Sequence, residues 1–90
     1  MPDPLLRSLA DAARAVTAAE RALAVATDHQ QPVDILGAAQ FRLAQARWAV
    51  GAGRAGAVTL GRDVRARLGS LPYPVELLPE IDRWLARVAP

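Results

Sequence analysis

Apolar residues in the first third of the chain recur at alternating intervals of four and three positions. This spacing places them along one face of an α-helix, which turns once in about 3.6 residues. Asp3 can cap the first amides of such a helix, and Pro4 suits its first position, where no N–H is needed. The pattern predicts a long amphipathic helix over residues 4–28, with an apolar seam formed by Leu5, Leu9, Ala12, Val16, Ala19, Leu23 and Ala26.

A second helical pattern follows a short break at Pro32, which cannot continue the first helix. It runs from Val33 to about residue 52, and a short connection makes two such helices antiparallel neighbours. The alanines of the first seam leave room for large side chains from a neighbour. We therefore predict a long antiparallel hairpin over residues 4–52, in which Phe41 and Trp48 press into the alanine-rich face of the first helix.

Two shorter helices are predicted in the second half of the chain. Apolar residues at intervals of four indicate a helix over 59–68, and three prolines between residues 72 and 79 predict an extended connector after it. Pro79 can begin a last helix over 79–88. Its apolar face is formed by Ile81, Trp84, Leu85 and Val88. No strand pattern of convincing length is present, so the predicted fold is a single all-α domain over residues 1–90, similar to a four-helix bundle.

The glycines at 51, 53 and 56 spell G-x-G-x-x-G, a motif that binds dinucleotides when it follows a buried strand and begins a helix. Glu76 lies twenty residues after Gly56, near the position of a ribose-binding acid. However, the residues before Gly51 continue a helical period, and too little chain remains for further βαβ units. We therefore interpret residues 51–57 as a glycine-rich hinge, either a loop or a bend in a continuous helix.

Composition limits the size of the core. Alanine accounts for 20 of the 47 apolar residues among 90, so only 27 larger side chains are available for burial. Alanine contributes little buried area, and small domains have the least interior to begin with. The sequence therefore predicts self-association, most often as a symmetric dimer.

Charge is unevenly distributed along the chain. The 11 arginines and nine acids give a net charge of +2, yet residues 36–75 hold six arginines and one acid. Such a segment can bind phosphates, which makes a nucleic-acid-associated protein the alternative hypothesis, with Arg54, Arg62, Arg65 and Arg67 as its contacts. The other interpretation is a solvated arginine face that complements acidic ends of the chain.

Little in the sequence indicates catalysis. Cysteine is absent, His29 is the single histidine, and no serine or threonine is placed with it in a pattern typical of a nucleophile and its base. The acids Glu76, Glu80 and Asp82 suit the start of the last helix, where they complement its dipole. We therefore expect no enzyme, no metal and no cofactor. An acidic residue near the N-terminus and charges within every long apolar stretch predict a soluble cytoplasmic protein without membrane contact.

These observations favour a non-enzymatic protein–protein interaction module that works by presenting a helix face, as an adaptor, an assembly factor or an inhibitor. The expected partner is another protein or a second copy of the chain, in the latter case as a homodimer. Large aromatic residues often anchor interfaces. The predicted partner-binding residues therefore lie on the last helix: Ile81, Trp84, Leu85 and Val88.

Overall fold

A computed structural model of the protein describes residues 4–51 and 53–89, apart from the side chains of Leu5 and Leu6. It contains four helices, α1 (Pro4–Asp28), α2 (Val33–Val50), α3 (Arg54–Gly69) and α4 (Leu78–Val88). No strand occurs among these residues, so the predicted all-α class is confirmed. The predicted cap at Asp3 and the place of Leu5 on the seam lie outside the described residues.

Helix α1 packs against α2 along part of the predicted seam. The seam positions from Ala12 to Ala26 are buried or half-buried, whereas residues 7–11 are exposed on every side of the helix. Helix α1 has 25 residues and α2 has 18, so α1 extends about 10 Å further at 1.5 Å per residue. Its first two turns therefore project from the body of the protein, and Leu9 on the seam is 45% exposed.

Helix α2 is the central helix and is apolar on two opposite faces. Phe41 and Trp48 lie on one face and pack against α4. Leu43 lies about 200° around the helix from Phe41, and it is buried without belonging to the cluster that contains Phe41. Val50 shares the face of Leu43 and lines a shallow recess with Val16 of α1. One face of α2 therefore serves α1 and the other serves α3 and α4.

The aromatic residues meet on α4 and not on α1. The Trp84 ring centroid lies 5.6 Å from that of Phe41 and 6.4 Å from that of Trp48, with interplanar angles of 85° and 82°. Such edge-to-face pairs are favourable because the positive edge of one ring meets the negative face of another. The prediction that Phe41 and Trp48 fill the alanine-rich seam of α1 is therefore wrong. The Trp84 indole offers them more apolar area to bury than alanine methyls do.

The core is built by α2, α3 and α4. Its buried members are Phe41, Ala44, Val64, Leu68, Ile81 and Trp84. No described side chain of α1 belongs to this cluster, and α1 lies against the outer face of α2. The molecule is consequently elongated, with extents of 52 × 33 × 19 Å.

The glycine-rich segment separates two helices. Gly51 (φ 88°) and Gly53 (φ 71°) are left-handed, a conformation that glycine adopts without a steric penalty. The Gly51 N–H donates to the carbonyl oxygens of Arg47 and Trp48, which ends α2. Helix α3 begins at Arg54, five residues before the predicted start at 59, and includes Gly56. Since a helix precedes these glycines, the strand-to-helix turn of a dinucleotide site is not formed here.

Gly61 allows α3 and α4 to approach closely. A Cβ atom on Gly61 would lie 2.6 Å from Cζ3 of Trp84 and 3.3 Å from Cδ2 of Leu85. Gly56, on the same helix, has no neighbour within 4 Å of such an atom. Only the first of these glycines is therefore required by packing.

We expect Gly61→Ala and Gly56→Ala to change stability in opposite directions. Crowding the rigid Trp84 ring costs about 1–3 kcal/mol, which outweighs the gain of at most about 1 kcal/mol from replacing glycine inside a helix. Gly56→Ala crowds no neighbour and should raise the free energy of unfolding by about 0.5 kcal/mol. Urea unfolding followed by circular dichroism measures both. A Gly61→Ala protein as stable as Gly56→Ala would contradict the close packing of α3 on α4.

Candidate interaction surfaces

The predicted partner-binding residues of α4 face inward. Ile81 is 0% exposed and Trp84 is 4% exposed, and both belong to the core cluster. Leu85 and Val88 are half-buried against the same cluster. A partner could reach Ile81 or Trp84 only by opening the core, so this fold presents no docking surface made of these four residues.

The four arginines of the nucleic-acid alternative are divided among different surroundings. Arg65 Nε lies 2.6 Å from Oδ1 of Asp82 in an ion pair, and Arg67 donates to the Gln40 side chain at 2.5 Å. Arg54 and Arg62 instead line a common groove. The structure therefore brings together two of the four and turns the other two to neighbouring helices.

The groove around Trp48 combines an aromatic ring with positive charge. The Arg54 guanidinium carbon lies 4.6 Å from the ring centroid of Trp48, and Arg54 Nε donates to the Trp48 carbonyl oxygen at 3.3 Å. Cations over an indole face are attracted by its negative quadrupole. We call this the Trp48 groove; it is lined by Trp48, Arg54, Ala55, Val58, Thr59, Arg62 and Val88.

A second groove lies at the opposite end of α2. It is formed where the first turns of α2 meet the connector between α3 and α4, and it holds three carboxylates together with apolar side chains. Ile35 and Tyr73 at its rim are 47% and 48% exposed, which is unusual for such large apolar groups in one place. We call it the acidic groove; it is lined by Asp34, Ile35, Ala38, Tyr73, Pro74, Val75, Glu76, Leu77 and Glu80.

One of these carboxylates is tied to α2. Arg42 donates to both oxygens of Glu80, at 2.9 and 3.4 Å, and its guanidinium also lies 5.5 Å from the Phe41 ring centroid. The hydrogen bond from Arg42 lowers the pKa of Glu80 below its ordinary 4.5, and the charges of Arg42 and Arg83 act in the same direction against partial desolvation. Glu80 thus fixes the start of α4 on α2, while Asp34 and Glu76 face the groove.

The acidic groove was not found from the sequence. Asp34 and Glu76 are far apart in the chain and belong to different elements. From the sequence, Glu76 is placed near the position of a ribose-binding acid, and Glu76 and Glu80 are interpreted as stabilising the last helix. The one available indication was the order of the helices: since α2 and α3 run in opposite directions, the connector after α3 returns to the start of α2.

The other candidate metal ligands are His29 and the remaining carboxylates. His29 is exposed just after α1, and no three histidine or carboxylate side chains among residues 4–51 and 53–89 are grouped as metal ligands. Over the same residues, each helix is too short or too polar to span a bilayer.

Comparisons of the chain with protein-family models, with curated proteins and with solved structures gave no match.

We expect Arg42→Gln to raise the pKa of Glu80 towards 4.5. Because the folded pKa is lowered, this ion pair stabilises the protein above the ordinary value and loses its effect as the pH falls through the folded value. The variant should therefore lose less stability on acidification than the unmodified chain. An NMR titration of the Glu80 carboxyl measures the pKa directly. Arg65→Gln is the control, and an equal effect from it would contradict the assignment to Arg42.

Proposed function

We propose that this chain is a non-enzymatic protein–protein interaction module, and that it self-associates through the projecting end of α1. The observation that carries the proposal is the exposure of Leu9 on a seam whose later positions are covered by α2. The seam repeats in steps of four and three, as helices do when they pack on one another. The first two turns of α1 continue this spacing of apolar residues, but no other described helix packs against them.

Two features favour a protein as the occupant of this surface. Burying an exposed leucine gains about 1.5–3 kcal/mol. The exposed positions 8, 10 and 13 around Leu9 are serine or alanine, so another backbone can approach closely. A second copy of the chain is the simplest such occupant, because it is always present at the concentration of the protein itself.

We expect Leu9→Glu to weaken self-association at least tenfold, since a charge would replace the buried apolar contact. Ala18→Glu is the matched control: Ala18 is exposed on the same helix, and nine residues place it about 180° from Leu9. Light scattering across a concentration series measures the mass of both variants, and circular dichroism verifies their helix content. A chain that remains single at every concentration, or equal effects of the two variants, would overturn the proposal.

The nucleic-acid alternative has weaker support, because Arg65 and Arg67 contact Asp82 and Gln40 instead of joining Arg54 and Arg62. We expect random duplex DNA to bind no better to the unmodified chain than to an Arg62→Glu/Arg65→Glu variant at about 0.15 M salt. Fluorescence anisotropy of a labelled duplex measures this. Binding that falls steeply with salt and is lost in the variant would favour a nucleic-acid-associated protein instead.

A further inference from the structure

The helices that form the core sort charge to opposite ends of the molecule. The segments that reach the acidic groove, residues 22–41 and 68–82, contain five acids and no arginine. The segments that reach the Trp48 groove, residues 43–62 and 83–89, contain five arginines and no acid. We call these the acidic end and the basic end. Four further charged residues of the core helices lie between these segments: Arg42, Asp63, Arg65 and Arg67.

Internal ion pairs leave most of this separation in place. Arg42 neutralises Glu80, and Arg65, which lies outside the four segments, neutralises Asp82. The carboxylates of Asp34 and Glu76 in the acidic groove, and the guanidinium groups of Arg54 and Arg62 in the Trp48 groove, have no ion-pair partner among the described residues. Each groove therefore carries uncompensated charge of one sign.

Exposed apolar groups are divided between the same two ends. Leu9 is on the projecting turns of α1, which extend past the end of α2 where Val16 adjoins Val50 and Gly53. Among the residues that the structure describes, the other large exposed apolar side chains belong to the elements that meet at the acidic end: Val25, Val33, Ile35 and Tyr73. Each end thus combines apolar surface with a charge that the other end complements.

From this arrangement we propose that the chain assembles head to tail, with the basic end of one copy against the acidic end of the next. Arg54 and Arg62 of one copy face Glu76 and Asp34 of its neighbour, and the projecting turns of α1 lie along the neighbour's exposed apolar residues. This inference rests on the self-association proposed above and specifies its geometry. A symmetric pair through α1 alone would leave the acidic groove and its exposed Tyr73 in water.

A head-to-tail contact has a consequence that a symmetric one lacks. The two surfaces in contact are different, so each added copy still offers one free end of each kind. The assembly therefore does not stop at two chains. Opposite charges at the ends also accelerate encounter and fix orientation, which apolar contact alone does not.

Charge reversal at the two ends tests the contact. Arg62→Glu and Glu76→Arg should each weaken assembly about tenfold by placing like charges together. The double variant Arg62→Glu/Glu76→Arg should recover most of the assembly, because the opposite charges are exchanged. Arg21→Glu, at an exposed position in the middle of α1, is the control for net charge. Light scattering over a concentration series gives the mass, and circular dichroism establishes that each variant is folded.

The expected result is a mass that rises with concentration past that of two 9.6 kDa chains, with recovery in the double variant. A mass that levels at two chains, or a double variant as weak as either single one, would overturn the head-to-tail geometry. If Leu9→Glu separates the chains while the charge variants do not, self-association through α1 stands and the end-to-end contact fails. A chain that never associates overturns both.

Discussion

The packing of the Trp84 ring determines the arrangement of the other helices. It meets the rings of Phe41 and Trp48 edge to face and lies against Gly61, where α3 has no side chain in its way. One indole therefore joins α2, α3 and α4. In a chain with so few large apolar side chains, a buried ring of this size supplies a large share of the apolar area removed from water. The four remaining core members fill the space around these rings.

Because α4 occupies the aromatic face of α2, helix α1 is left with the opposite face. That face carries Leu43 and Val50, and it is shorter than α1 itself. The projecting turns around Leu9 are thus a consequence of the difference in length between the two helices. The surface proposed for association exists because α2 is too short to cover the whole seam, and it would not exist in a hairpin of equal helices.

The two grooves arise from helix direction in a similar way. Successive core helices α2 and α3 run in opposite directions, and α4 returns in the direction of α2, with Glu80 near Arg42 at one end and Val88 near Trp48 at the other. The uneven distribution of charged residues along the sequence therefore places charges of opposite sign at opposite ends of the folded molecule. Only three of the six arginines in the basic middle segment, Arg47, Arg54 and Arg62, belong to the basic end in the fold. Arg42 and Arg65 pair with Glu80 and Asp82 instead.

Local rules in the sequence determined the helices. Apolar periodicity, Pro32 and the prolines of the connector predict all four helices. The predicted start of α3 is wrong because the left-handed turn at Gly51 and Gly53 is completed within three residues. The sequence also predicts the apolar seam of α1 from residue 12 to 26, because the spacing of apolar residues determines which of them share a face of the helix. These features depend on neighbours within about one turn.

Only the tertiary structure decided which face meets which helix. Phe41 and Trp48 can pack either against the alanines of α1 or against the ring of Trp84. Complementary shape between elements that are distant in the sequence decides between these two arrangements. The same packing buried Ile81 and Trp84, which the sequence offered as a partner surface, and gathered Asp34 with Glu76 into one groove. Periodicity shows that a residue is buried against something; the identity of its neighbour depends on the competition among all helices for the same apolar area.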